Sequence, residues 1–196
     1  LDQLEELKES FVKAALRAQK AGFDFIELHG AHGYLLNQFL SPLTNQREDR
    51  YGGSFAARFR FPLEVVRAVR EAVGQDYLIF YRLGCDDFLE GGLTVEDSKK
   101  AAVQLEEAGV DVLDLSGGLR GYGPAEEKSD KDEGHFVYLG ESIKPEVDIP
   151  IIITGGITTP EFANQIVRED KTDLVGVGRA MLKDKKWAHK AVKKLQ

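Results

Sequence analysis

Five short apolar runs, each closing on glycine or a polar residue, constrain this chain more than any other feature. They are "FDFIELHG" (23–30), "YLIFYRLG" (77–84), "VDVLDLSGG" (110–118), "IPIIITGG" (149–156) and "TDLVGVGRA" (172–180). Runs of this length and composition suit strands of a parallel sheet, and parallel strands need long crossovers, usually helices, between them. The intervening segments supply such helices. Leu4, Leu7, Phe11, Ala14, Ala15 and Ala18 recur at helical spacing before Gly22. Tyr34 to Leu40 suits a short helix, and "SPLTNQREDRYGGS" (41–54) has the turn residues of an ordered loop. A longer helix is expected from about Pro62, a residue suited to a first turn, to Gly74. Thr94 and Asp97 stand at capping-box spacing ahead of a helix to Ala108, and Thr159 with Pro160 starts another. The tail "KDKKWAHKAVKKLQ" reads as a final helix.

This alternation makes the fold α/β. A doubly wound sheet and a (β/α)8 TIM barrel both satisfy it, but polar groups and glycines at nearly every strand end favour the barrel, whose strand ends converge on one mouth. A full barrel takes about 250 residues. The expectation is therefore a partial barrel forming one domain over residues 1–196: about the last five βα units, lacking the first three strands.

A formal net charge of −7 argues against a general nucleic-acid surface. No apolar run approaches the roughly 20 residues of a membrane span, and the opening "LDQLEELKES" is acidic where a signal peptide is basic, so the expected location is cytoplasmic. Cys85 is the single cysteine, which excludes a disulfide framework or a cysteine-held cluster built from this chain alone.

The chemistry concentrates after the first strand. His29 and His32 would project from a βα loop, where a barrel places its reactive groups. Loop hydrogen bonding is the plain reading of this pair. Zinc binding is another, and it would need a third ligand that no strand end offers. Two imidazoles can also donate to a carbonyl or carboxylate oxygen and stabilise charge developing there, with the Tyr34 hydroxyl as a general acid. Arg82 lies within an apolar strand, where a charge is costly unless paired. A buried ion pair with Asp86 or Asp87 and contact with a ligand are its two explanations. "TGG" (154–156) and "VGVGRA" (175–180) end consecutive strands, where glycines let backbone N–H groups approach a phosphate and Arg179 adds charge. The acidic run 126–133 reads as a solvated loop or a lid, His135 as facing either the site or solvent, and Trp187 as packing.

In these blocks the chain resembles the old yellow enzyme family of FMN-dependent NADH:flavin oxidoreductases and ene-reductases. The resemblance runs through "AGFDFIELHGAHGYLLNQFLSP", "NQREDRYGGS", "RFRFPLEVVRAVR", "YRLG", "GGLT", "SGG", "ITGGI" and "VGVGRAML". It implies FMN as cofactor, NADH or NADPH as reductant, and a small molecule with an activated alkene as substrate. It implies that His29 and His32 bind the substrate oxygen and that Tyr34 protonates the α-carbon. Arg82 would meet the N1/O2 edge of the flavin, and Gly155, Gly156, Gly178 and Arg179 would grip its phosphate. A homo-oligomer is one way an incomplete barrel could be closed. A self-associating, non-catalytic barrel fragment and a metal-dependent hydrolase or lyase using His29 and His32 are the competing readings.

Overall fold

The computed structural model describes residues 1–119 and 133–195, so most of the acidic run 126–133 lies outside the described residues. In chain order the elements are α1 (Asp2–Lys20), β1 (Phe25–Gly30), α2 (Leu35–Leu40), α3 (Phe55–Val73), β2 (Leu78–Gly84), α4 (Val95–Glu107), β3 (Val112–Ser116), α5 (Val137–Ile143), a 3-10 turn (Lys144–Glu146), β4 (Ile151–Thr154), α6 (Pro160–Arg168), β5 (Leu174–Gly176), α7 (Arg179–Lys183) and α8 (Trp187–Leu195). The strands form one parallel sheet in the order β1-β2-β3-β4-β5. The α/β class expected from the sequence is present, with all five strands where the apolar runs stand.

Side chains alternate across a strand, and the two faces of this sheet differ. Leu28, Ile79, Tyr81, Leu83, Leu113, Leu115, Ile151 and Ile153 are buried on one face, in a core shared with Leu36, Phe59, Val66, Leu105, Leu139 and Ile166 from the helices. The other face carries Phe25, Leu78 and Leu174, which are 46%, 45% and 48% exposed, near the N-terminal ends of their strands. Towards the C-terminal ends the same face carries His29, Arg82, Asp114, Ser116 and Thr154.

At the N-terminal ends, charged groups close the crossovers. Asp111 Oδ2 accepts the Ile79 N–H at 2.6 Å, and Asp173 Oδ2 accepts that of Ile151 at 2.9 Å. Arg70, 6% exposed, donates to the carbonyls of Gly74, Tyr77 and Gly109 at 2.7–2.9 Å and pairs with Asp111. One guanidinium thus ties the end of α3 to the approaches of β2 and β3, offsetting its own burial through charge-assisted bonds.

Two boundaries differ from the sequence reading. The long helix starts at Phe55, with Pro62 inside it. Ser54 caps its start, its Oγ accepting from the Ala57 N–H at 3.3 Å, and buried Phe59 and Phe61 hold the first turns in place. The last strand ends at Gly176, and Arg179 opens the short helix α7 rather than ending a strand, while the tail forms the expected final helix, α8. Asp184 breaks the run: its side chain accepts the Lys186 N–H and its carbonyl the Trp187 N–H. Thr94 caps α4 as expected, accepting from the Asp97 N–H. Trp187 packs against the core and donates Nε1–H to the Thr158 carbonyl at 2.7 Å.

Candidate active site

The loop after β1 turns sharply enough to gather three polar rings. His32 and Gly33 both have positive φ, 58° and 74°, and the Gly33 N–H is caught by Asn37 Oδ1 at 2.7 Å. A non-glycine residue in this region is uncommon, and here it brings the His32 ring back beside β1. The His29 and His32 ring centres lie 5.4 Å apart, and those of His29 and Tyr34 4.8 Å apart. Tyr34 precedes α2 and is 61% exposed. These three side chains are therefore one cluster, with the tyrosine on its open side.

Register adds the fourth residue. His29 pairs with Arg82, and Arg82 with Asp114, so their side chains leave the same face in one row. Arg82 Nη1 lies 3.5 Å from Asp114 Oδ2. The ion pair expected with Asp86 or Asp87 is not the one formed. Asp86 Oδ1 accepts the Phe88 N–H at 2.6 Å, whereas Asp87 Oδ2 accepts from the Ser41 hydroxyl and the Leu93 N–H. Asp86 is committed to the loop after β2 and Asp87 to that loop and to Ser41 at the end of α2, and the carboxylate one strand over takes the guanidinium.

Burial and the Arg82 cation push His29 and His32 away from the charged form. Both are lowered, chiefly by loss of solvent and then by Arg82, His32 to about 4. They are neutral donors and acceptors at pH 7. His32 Nε2 stands 2.7 Å from Ser116 Oγ at the end of β3, so that hydroxyl selects the tautomer. A hydroxyl that donates leaves the ring proton on Nδ1, and one that accepts holds it on Nε2.

The glycine pair follows β4. Gly155 and Gly156 have φ of 141° and 67°. A Cβ at Gly155 would come within 2.9 Å of His135 Nε2, and one at Gly156 within 2.7 Å of His135 Nδ1. His135 thus faces the strand ends. Glu133, two residues before it, accepts from the N–H and hydroxyl groups of Thr158 and Thr159. Gly178 follows β5 and caps α7, and a Cβ there would meet no atom within 4 Å. The expected residues fall into two groups: His29, His32, Tyr34 and Arg82 at β1 and β2, and Gly155, Gly156, Gly178 and Arg179 beyond β4 and β5.

The residues fit a planar, partly anionic cofactor with a phosphate. Arg82 Nε and His29 Nδ1 are buried with no hydrogen-bond partner among the described residues, an expense that a bound group would repay. The bare backbone at Gly178 leaves room for a phosphate beside N–H groups. No set of three or more His, Cys, Asp or Glu side chains able to hold a metal occurs among the described residues. Among them, too, no helix is long and apolar enough to cross a membrane. Asp114 and Ser116 were missed in the sequence. Their signal is the polar positions of "VLDLS" (112–116), recognisable only once the register is known.

Known proteins resemble this chain along nearly its whole length. The NADH oxidase of Thermoanaerobacter brockii is 52% identical over 192 residues, covering 97% of this chain and 30% of that protein. An NADPH dehydrogenase of Geobacillus sp. (strain WCH70) is 42% identical, covering 98% of this chain and 55% of that protein. The structure of a 2-naphthoyl-CoA reductase complexed with 2-naphthoyl-CoA superposes with a TM-score of 0.90 at 29% identity, covering 98% of this chain and 29% of that one. The chain therefore spans from about a third to just over half of the length of these relatives. The family model for NADH:flavin oxidoreductases and NADH oxidases, FMN enzymes reduced by NADH or NADPH, matches residues 1–196. With the family model matching along its whole length, the chain belongs to the NADH:flavin oxidoreductase / NADH oxidase family.

Proposed function

We propose that this chain forms part of the wall of a (β/α)8 barrel and carries the substrate side of an FMN-dependent reductase acting on an activated C=C bond. The observation that carries the reading is the cluster of His29, His32 and Tyr34 one strand from Arg82, with buried donor positions on His29 and Arg82 left unpaired. The open face with Phe25, Leu78 and Leu174 supports the barrel, because an apolar interior face needs a covering wall.

FMN, once reduced by NADH or NADPH, supplies hydride to the β-carbon of the acceptor. His29 and His32, held neutral, donate hydrogen bonds to the acceptor's carbonyl oxygen and stabilise the negative charge that gathers there. Tyr34 gives its hydroxyl proton to the α-carbon and recovers it from solvent, to which it is open. Arg82 would hold positive charge beside the flavin ring, while Gly155, Gly156, Gly178 and Arg179 would receive the phosphate. The fit of a 2-naphthoyl-CoA reductase favours an acceptor whose unsaturation is conjugated with a carbonyl. Purified protein should show flavin absorbance or regain it on incubation with FMN. Protein that neither contains FMN nor takes it up removes the proposal.

A further inference from the structure

β2 and β3 place Arg82 and Asp114 side by side on the open face. Asp114 is 6% exposed. Its Oδ2 lies 3.5 Å from Arg82 Nη1, and its Oδ1 accepts from the Thr154 hydroxyl at 3.1 Å. A carboxylate buried this deeply is costly unless its charge is paired and hydrogen-bonded, and these two contacts provide both. Burial pushes its carboxyl above the usual range, while Arg82 and the Thr154 hydroxyl oppose that rise. Thr154 is itself accommodated by a special residue. It registers with Gly176, where a Cβ would approach its Oγ1 to 2.1 Å. The end of β5 thus makes room for the hydroxyl that holds the acid.

Glu27 lies on the same face of β1, two residues before His29, and its carboxyl is also raised, by burial and then by Asp114. Among the described residues, the ion pair of Arg82 is with Asp114. The cation at the row is therefore partly neutralised by a carboxylate fixed on its far side from His29.

We propose that Asp114 is a positioning residue that sets how much positive charge Arg82 delivers to the bound flavin ring, and so sets the cofactor's reduction potential. The inference rests on the FMN reading of this site. A cation beside the ring favours the more negative, reduced state, and an anion paired with that cation offsets part of the effect. Removing the carboxylate charge should raise the potential. Weakening the hold of Thr154 should lower it, because the carboxylate then bears on Arg82 alone.

The test is the midpoint potential of the FMN-loaded protein, measured by reductive titration against a reference dye. Asp114→Asn should favour the reduced flavin at least tenfold over wild type, an upward shift of about 30 mV for a two-electron couple. Asp114→Glu, which keeps the charge, should stay near wild type, and Thr154→Val should shift downward. An unmoved or lowered potential in Asp114→Asn overturns the inference. Should that variant not retain FMN, the sign of the Thr154→Val shift decides: downward supports it, unmoved or upward overturns it. A wild-type protein that takes up no FMN removes the underlying assignment, whereas a flavin-loaded wild type with unmoved variants removes this inference only.

Discussion

Acidification should reveal His32 as a group that folding keeps neutral. Its pKa falls from the ordinary 6.5 to about 4, through burial first, then the Arg82 cation and His29. A shift of that size corresponds to about 3.4 kcal/mol at 1.36 kcal/mol per unit. The ring is only half-buried, so solvent screening reduces this to about 1–2 kcal/mol. The sign follows from proton counting. Between pH 6.5 and about 4 the unfolded chain binds a proton at this ring that the folded chain refuses, so stability falls as pH falls through that window. His29, lowered for the same leading reason, adds in the same direction. Urea unfolding at pH 7 and pH 4.5 should therefore show a larger acid loss in wild type than in His32→Asn, by about 1–2 kcal/mol. An NMR titration of the ring should place its midpoint near 4, well below the ordinary 6.5. A His32 midpoint near 6.5, or equal acid losses in the two proteins, would refute the placement of this ring between Arg82 and Ser116.

Tyr34→Phe should slow reduction of the alkene by about 10²-fold or more while leaving flavin reduction by NAD(P)H near wild type, read as separate half-reactions by stopped flow; equal losses would remove the acid role. Arg70→Met should cost about 3–5 kcal/mol in denaturant unfolding, because it strips a buried cation from three carbonyls and leaves Asp111 without its partner. A loss under 1 kcal/mol would show those groups are readily resolvated. Gly30→Ala should cost about 1–3 kcal/mol, since its Cβ would fall 2.2 Å from the hydroxyl of fully buried Tyr81. Thermal melts that match wild type would mean the ring has room to move.

The sequence carried the alternation of elements clearly because each strand is a local apolar run and each crossover has its own period. His29, His32 and Tyr34 were legible for a similar reason: six residues of chain hold all three. Arg82 announced that it needed a partner without naming one. Its neighbours Asp86 and Asp87 looked suitable, but they accept N–H groups of their own loop and, for Asp87, the distant Ser41 hydroxyl, and Asp114 is found only by knowing which rows align. Ser116 was hidden likewise, 84 residues from the histidine it touches. Pro62 misled because a proline suits a first helical turn, yet Ser54 supplies the actual cap eight residues before it. His135 lies over the glycines and Glu133, two residues before it, accepts from Thr158 and Thr159, contacts between segments that no local pattern encodes.

The sheet order repeats the chain order, and this bears on how the molecule is assembled during synthesis. Each strand leaving the ribosome finds its neighbour already made, so no strand waits for a later one to be inserted between it and its partner. Only one crossover must close for each new pairing, which limits the entropy lost at any one step. The emerging wall can therefore grow from one edge, with β2 laid on β1 and each later strand on the last. Arg82 accordingly reaches its row neighbour His29 before the acid that balances it has emerged.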